Sequence, residues 1–260
     1  IMDLAHEDPV LNAFIIYDWL YLRPVRPDLC DFYVAVDRPS GRVEAACVSF
    51  HEGRFDSLVF CGSAEAVGAI LAYIRPSRAV LPRVRPEELG AVLKTLGPGV
   101  RAIYDTILMT CSPSGLRRWP TDEVVRLGPE HAELYRSLMG GREDRPYRLT
   151  PDEARRRLED PDRPVFAIIR GGRIASTATI YLSTPDVSLV GGVYTIPELR
   201  NRGLATSVTC AATEEALRRS CSAALMVRSD NKPALRVYEK VGYAVHERLK
   251  WICVGVDYPP

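Results

Sequence analysis

Apolar and polar positions repeat along the chain in two similar series. The stretches 31–50 and 164–182 each contain an apolar run, a Gly-Arg turn and a second run rich in small and β-branched residues, which is typical of a β-hairpin. The stretches 78–111 and 223–254 each predict a strand, an amphipathic helix that ends at a glycine, and another strand. The pattern therefore predicts an α/β protein with a mixed sheet, in which one structural unit occurs twice.

The two copies join near residues 111–123, so we place one domain at 1–118 and the other at 119–260. The second copy contains a loop, PELRNRGLA, that the first copy lacks. When the copies are aligned, Pro86 and Leu93 of the first stand opposite Asn231 and Tyr238 of the second. These differences predict that the second unit carries the chemistry and that the first is a degenerate scaffold.

The loop lies between a predicted strand and a predicted helix. The run VSLVGGVYT, residues 187–195, is rich in β-branched residues, and its two glycines indicate a bulge or the close approach of another molecule. Pro197 ends the strand, and ATSVTCAATEEALRR, residues 205–219, has apolar and small positions at helical spacing. This arrangement places the N-terminus of a helix directly after the loop.

A helix N-terminus offers unpaired N–H groups and the positive end of a dipole, and both favour an anion. Gly203 lets the backbone approach such an anion closely, and Arg200 and Arg202 add positive charge. The loop has neither the Lys-Ser/Thr pair of a Walker loop nor the G-x-G-x-x-G of a Rossmann turn. The sequence predicts a phosphate site of another kind.

A second motif follows about 30 residues later. In NKPALRVYEKVGY, the residues Asn231, Ala234 and Tyr238 fall on one face of a helix, and Gly242 follows it. Together with R-x-R-G-x-A, this resembles the GNAT acetyltransferase superfamily, with its Q/R-x-x-G-x-G/A loop and N-x-x-A-x-x-x-Y-x-x-x-G-F/Y segment. The resemblance is closest to FR47-like and glycine N-acyltransferase-like members. It covers about residues 187–245 at the level of motifs and about 120–255 more weakly.

The resemblance implies a role for each matching residue. Val193, Tyr194 and Thr195 would pair their backbone with the pantetheine arm of coenzyme A, and Asn201, Arg202, Gly203, Leu204, Ala205 and Thr206 would wrap its pyrophosphate. Asn231 would hydrogen-bond the cofactor, and the small Ala234 would leave room for it. Tyr238 would stand near the thioester sulfur as general acid. The implied reaction is direct attack of an amine on acyl-CoA, most often acetyl-CoA.

The sequence does not identify the residue that acts as general base. Some members of the superfamily carry a Glu five residues before the Asn, whereas this chain has Met226 there. Glu198, Asp230, Tyr181 or a chain of water molecules could instead take the proton from the amine. A non-catalytic module that binds or senses acyl-CoA is therefore the alternative to an enzyme.

The charge and composition of the chain limit the classes of ligand and partner that we expect. The 34 basic and 33 acidic residues nearly balance, and no patch combines clustered bases with aromatic residues, so we expect no nucleic acid partner. The four histidines and seven scattered cysteines lack metal-ligand spacing, so we expect no metal. No signal peptide or apolar run of membrane-spanning length is present, which predicts a cytoplasmic protein that does not bind membranes. The acceptor amine, a small molecule or a protein, is expected to contact the variable segment 140–161 and the N-terminal half.

Overall fold

The computed structural model describes residues 1–51, 55–143 and 148–257. Its helices are α1 (Met2–Ala5), α2 (Ala13–Tyr17), α3 (Ala64–Ile74), α4 (Leu89–Leu96), α5 (Ala132–Gly141), α6 (Pro151–Glu159), α7 (Leu204–Arg219) and α8 (Lys232–Val241). Its strands are β1 (Cys30–Val36), β2 (Val43–His51), β3 (Asp56–Gly62), β4 (Ala79–Val84), β5 (Val100–Cys111), β6 (Val124–Arg126), β7 (Val165–Arg170), β8 (Arg173–Ser183), β9 (Val187–Thr195), β10 (Ser222–Arg228) and β11 (Ala244–Val254). No helix in these ranges is long and apolar enough to cross a membrane.

The chain forms two compact units, each of which contains a mixed sheet. The first unit comprises Ile1–Met109, Met226–Asn231 and Val245–Pro260, and the second comprises Thr110–Leu225 and Lys232–Ala244. Both units are therefore discontinuous in sequence. The placement of one domain at 1–118 and another at 119–260 describes the two sequence copies and stays a prediction.

The first unit orders its strands β1-β2-β3-β4-β11-β5. β1, β2 and β3 are antiparallel, and β4 is parallel to β3 after the crossover helix α3. The core between sheet and helices includes Leu58, Leu71, Leu81 and Ile252, which are buried apolar side chains from both ends of the chain. β11 belongs to the second sequence copy, yet it pairs antiparallel with β4 of the first. The pattern of the repeat alone does not predict this pairing.

The second unit has the same succession of antiparallel strands, crossover helix and parallel strand as the first. β7, β8 and β9 are antiparallel, and β10 is parallel to β9 after the crossover helix α7. β6 adds an antiparallel edge strand beside β7. One face of this sheet packs against α5 and α6 through a core that includes Tyr135, Leu158, Val165 and Tyr194. The predicted α/β architecture with two similar units, and the two predicted hairpins, are confirmed.

The buried carboxyl group of Asp18 in the first unit allows this fold to be tested by the pH dependence of its stability. Asp18 begins a π-helical segment, Asp18–Leu22, and its side chain is 5% exposed. Burial raises the pKa of Asp18 to about 7. The unfolded chain releases this proton near the ordinary value of about 4, whereas the folded chain keeps it until about pH 7. The free energy of unfolding should therefore fall as pH rises from 4 to 7 and then level off.

Replacing Asp18 with Asn removes this titration. The variant should keep wild-type stability near pH 4 and become more stable than wild type by up to ~4 kcal/mol at pH 8, since one pKa unit corresponds to about 1.4 kcal/mol. Urea unfolding at both pH values measures the difference. Asp28→Asn is the matched control, because Asp28 is exposed and its Arg26 partner lowers its pKa. An Asp18→Asn variant with the same pH dependence as wild type would contradict the prediction.

Candidate functional site

β9 is irregular at the two glycines that interrupt its apolar run. Its pairing with β8 shifts register between Thr177 and Thr179 and again between Ile180 and Leu182. Gly192 has φ +60°, and a Cβ built on Gly191 would lie only 2.3 Å from Cε2 of the Tyr181 ring. A side chain at either glycine would thus be strained or would displace Tyr181, so the bulge depends on both glycines.

β9 also extends beyond its pairing with β10. Val187–Leu189 pair in parallel with Ser222–Ala224, and this register ends at Leu189, while β9 itself continues to Thr195. Val193, Tyr194 and Thr195, which are predicted to pair with an extended ligand, lie on this extension. Their other edge is held by β8, where Thr177 is opposite Tyr194 and Ser176 is opposite Thr195.

The helix that follows the loop has an open N-terminus. Asn201 and Gly203 have φ +60° and +81°, and Gly203 is the N-cap residue of α7. No side chain caps the helix, and Ser207 is the first residue whose N–H reaches an intrahelical acceptor, the Gly203 carbonyl at 3.1 Å. The N–H groups of Gly203, Leu204, Ala205 and Thr206 therefore have no acceptor within the helix.

The surroundings of this N-terminus are positively charged and leave room at Gly203. A Cβ built on Gly203 would come near only the indole Nε1 of Trp119, at 3.8 Å. The ammonium group of Lys240 lies 5.7 Å from the centroid of the same indole ring. Trp119 lies outside both motifs and Lys240 occupies a variable position of the second, so sequence reasoning missed both. The tryptophan in the linker LRRWPTDE is the one signal that could have indicated them.

The two arginines of the loop differ in their contacts. Arg200 forms an ion pair with Glu143 at 2.6 Å and donates from Nε to the Thr195 carbonyl at 3.1 Å. Its charge is thus already paired, and it fixes the loop to the end of β9. Arg202 is exposed and has no ion pair among the residues that the structure describes. Of the two, Arg202 is the residue whose charge is available to an anion.

Tyr238 on α8 is a buried phenol without a protein partner. Its side chain is 7% exposed and packs edge-on against Tyr243, with ring centroids 6.1 Å apart. The Tyr243 hydroxyl bonds to the Thr213 hydroxyl at 2.9 Å, whereas within the described ranges the Tyr238 hydroxyl has no hydrogen-bond partner. Burial, together with the nearby Tyr181 phenol, raises the pKa of Tyr238, so this hydroxyl keeps its proton.

The remaining motif residues lie around the start of α8. Ala234 is half-buried in the first turns of the helix. Asn231 is exposed, immediately precedes α8 and donates its backbone N–H to the Arg228 carbonyl at 3.1 Å. The structure thus brings together Tyr238, Tyr181 and the bulge at Gly191 in the second unit, and it places Asn231 at the end of the segment 226–231 of the first unit.

The candidate bases differ in how freely they could accept a proton. Glu198 is exposed, and its own backbone N–H and Arg173 lower its pKa, so it is a poor base. Asp230 forms an ion pair with Arg228 at 2.5 Å. Tyr181 is 41% exposed, and its ring covers Gly191 of the bulge. Met226, which occupies the position of the Glu found in some GNAT members, has no titratable group.

A group of arginines beside the bulge was not predicted from the sequence. Arg157 of α6 donates to the Thr179 hydroxyl at 2.7 Å, and Thr179 stands opposite Gly191 in the β8–β9 register. The signal was the run ARRRLEDPDRP, in which four arginines stand beside three acidic residues, so the sequence indicated no charge preference. The predicted acceptor segment 140–161 contains this run in part, while residues 144–147 lie outside the described residues. Over the described ranges, no group of His, Cys, Asp and Glu could hold a metal ion.

Comparison with known proteins agrees with this architecture. A family model described as acetyltransferase (GNAT) family matches residues 130–243. No curated protein sequence matches the chain at a significant level. A Drosophila protein of known structure is similar over 94% of this chain and 89% of its own, with 15% identity and a TM-score of 0.69.

Two further solved structures have the same fold. A GCN5-related N-acetyltransferase from Kribbella flavida shares 18% identity, with 89% of this chain and 91% of that chain covered and a TM-score of 0.62. A tandem GNAT protein from the clavulanic acid biosynthesis pathway shares 16% identity, covers 88% of this chain and 84% of its own, and has a TM-score of 0.56. Residues 130–243 therefore match the acetyltransferase (GNAT) family model, and the chain shares the fold of these solved structures, which include a tandem GNAT protein.

Proposed function

We propose that this protein is an N-acyltransferase that transfers an acyl group, with acetyl as the first candidate, from acyl-CoA to an amine. One observation carries the proposal: the second unit combines an uncapped helix N-terminus with a buried tyrosine whose hydroxyl has no partner among the described residues. The GNAT family, whose members are generally acyl-CoA-dependent N-acetyltransferases, supports it.

The residues present fit coenzyme A. The four N–H groups from Gly203 to Thr206 lack helical acceptors, and they suit the oxygens of a pyrophosphate at the positive end of the α7 dipole. Arg202 and Lys240 add positive charge beside them. The extension Val193–Thr195, with its free edge beyond the pairing to β10, would hold the pantetheine arm by backbone hydrogen bonds, and the small Ala234 would leave room for the cofactor. A hydrogen bond from Asn231 to the cofactor stays a prediction.

When bound, acyl-CoA supplies an activated acyl group for the amine. The pairing of β9 with β8 shifts register at Gly191–Gly192. A backbone N–H that the bulge releases from the ladder would stabilise negative charge that develops on a carbonyl oxygen. Because this group is fixed before the reaction, it needs no reorganisation in the transition state.

Tyr238 would assist the departure of the thiolate. Its raised pKa keeps the phenol protonated over the whole assay range, so the hydroxyl can donate a hydrogen bond to a developing thiolate. The proton that finally resides on the thiol comes from the amine. Of the candidate bases, Glu198 and Asp230 are held in ion pairs, which favours Tyr181 or water as the path for that proton.

A mass-spectrometric screen tests the proposed function. Purified protein is incubated with acetyl-CoA and panels of amines, amino acids and peptides, and each product should gain one acetyl group while free coenzyme A accumulates. Gly203→Glu protein serves as the control, because its carboxylate would occupy the anion site. Tight binding of acetyl-CoA without acetylation of any acceptor in the panels would contradict an enzyme and favour the acyl-CoA sensor.

A further inference from the structure

Arg157 is directed into the second unit rather than towards solvent. It lies on the half-buried side of α6, where it donates to the Thr179 hydroxyl at 2.7 Å and to the Arg163 carbonyl. Its neighbours Arg155 and Arg156 on the same helix are exposed. Burial lowers the pKa of the Arg157 guanidinium, because water is removed from a group that remains charged.

Asp160 is the carboxylate that acts electrostatically on Arg157, but it does not come within ion-pair distance. Neither Arg157 nor Arg163 forms an ion pair in the part of the chain that the structure describes, and the buried Nε of Arg163 has no hydrogen-bond partner. A buried charge is costly unless it is paired, and a buried unpartnered donor is costly as well. Two guanidinium groups in this state indicate that an anion completes the cluster.

The cluster borders the place where the proposed reaction occurs. Thr179, which Arg157 contacts, is opposite Gly191 of the bulge, and the ring of Tyr181 covers that glycine. The Tyr135 phenol lies within electrostatic range of Arg157, Arg163 and Tyr181. Arg157 thus contacts the β8 residue that is paired with the bulge, on the face of the sheet that packs against α5 and α6.

We propose that the acceptor carries a carboxylate next to its reacting amine, and that Arg157 and Arg163 bind this carboxylate. The inference rests on the proposed acyl transfer and names its acceptor class: amino acids or similar amino carboxylates, rather than neutral amines or polyamines. In the reaction the amine nitrogen forms a C–N bond with the acyl carbon, the C–S bond breaks, and the proton of the amine ends on the thiol. Arginine suits the role because its planar fork can bind a carboxylate through two parallel hydrogen bonds.

Matched acceptors test this preference. For wild-type protein, kcat/KM for an amino acid should exceed that for its amide by about 10–100-fold, because the amide leaves the guanidinium groups without an anion. In Arg157→Met and in Arg163→Met, KM for the amino acid should rise until kcat/KM approaches the value for the amide. The loss of kcat/KM for the amide should be much smaller than the loss for the amino acid in both variants. Arg156→Met, an exposed arginine one position away, should behave as wild type.

Binding of a product analogue tests the carboxylate site without requiring the protein to catalyse acyl transfer. N-acetylalanine at ten times its Kd should raise the Tm of wild type by about 2–4 °C, and N-acetylalaninamide at the same concentration should not. The rise should disappear in Arg157→Met and Arg163→Met and persist in Arg156→Met. If one variant does not fold, the other carries the test.

Several results would overturn the inference. They are equal kcat/KM for amino acid and amide in wild type, equal losses for both acceptors in the variants, or equal Tm shifts for the two probes. A protein that does not bind acetyl-CoA, yet shows the N-acetylalanine shift, would instead contradict the proposed function and leave the carboxylate site standing.

Discussion

Tyr238→Phe should lower kcat by about 10²–10⁴-fold while leaving the Kd for acetyl-CoA nearly unchanged. The phenol is buried and has no hydrogen-bond partner in the described residues, so its hydroxyl is free to donate to the departing thiolate. Such an interaction is formed mainly in the transition state, and its loss therefore appears in kcat rather than in ground-state binding. Steady-state kinetics with the best acceptor from the screen, together with a binding titration, measures both quantities.

The variant should fold as wild type does. Phenylalanine keeps the ring that packs edge-on against Tyr243, and the change leaves no protein group unpaired, so Tm should stay within a few degrees. Tyr243→Phe is the matched control: it leaves the Thr213 hydroxyl without its tyrosine partner, and it should reduce stability without a comparable loss of kcat. Full turnover by folded Tyr238→Phe protein would show that the phenol has no catalytic role.

Gly203→Glu should abolish measurable binding of acetyl-CoA. The new carboxylate would lie at the uncapped N-terminus of α7, where it would satisfy the open N–H groups itself and repel a pyrophosphate. Space is not the limiting factor, since a Cβ at this position approaches only Trp119, at 3.8 Å. Calorimetric titration of the variant with acetyl-CoA measures the loss.

Gly171→Glu controls for backbone strain and added charge. Gly171 lies in the turn between β7 and β8 at φ +56°, and a Cβ there would meet no atom within 4 Å. Both variants thus place a glutamate where φ is positive, at a similar conformational cost. Wild-type affinity in Gly171→Glu with lost affinity in Gly203→Glu would locate the effect at the helix N-terminus. Unchanged affinity in folded Gly203→Glu protein would rule out this phosphate site.

The elements around the site were predictable because strong local signals define them. β9 covers the predicted residues 187–195, and it ends before Pro197, which cannot continue the ladder. α8 ends at Val241 because Gly242, at φ +108°, turns the chain where a Cβ would lie 2.0 Å from the Gly115 carbonyl. The motif glycine is therefore required by close backbone packing.

Other features were not predictable because they depend on pairing between distant segments. The apolar pattern of β11 predicts a strand but does not select β4 as its neighbour. Similarly, the sequence predicts that Arg200 supplies positive charge to an anion site, whereas in the fold Arg200 forms an ion pair with Glu143. Arg157 is one of three consecutive arginines, and only the orientation of α6 distinguishes it from its exposed neighbours.

The two crossover helices differ in a way that predicts how many ligands bind. In the first unit, the hydroxyl of Ser63 caps α3 by accepting from the Ala66 N–H at 3.3 Å. In the second unit, Gly203 leaves the corresponding end of α7 uncapped. Leu93, which aligns with Tyr238, packs into the apolar core of the first unit. Within the described residues, the first unit thus has neither the uncapped crossover helix nor the tyrosine of the proposed site.

Calorimetric titration of the wild-type protein with acetyl-CoA tests the central claim most directly. We expect one binding site per chain, with a Kd on the order of micromolar. Among the described residues, the second unit has an uncapped crossover helix and an unpartnered Tyr238 hydroxyl, whereas the first has a capped helix and Leu93 at the corresponding positions. Two sites per chain would show that the first unit is not a scaffold. The absence of binding would contradict acyl-CoA as the ligand of this fold.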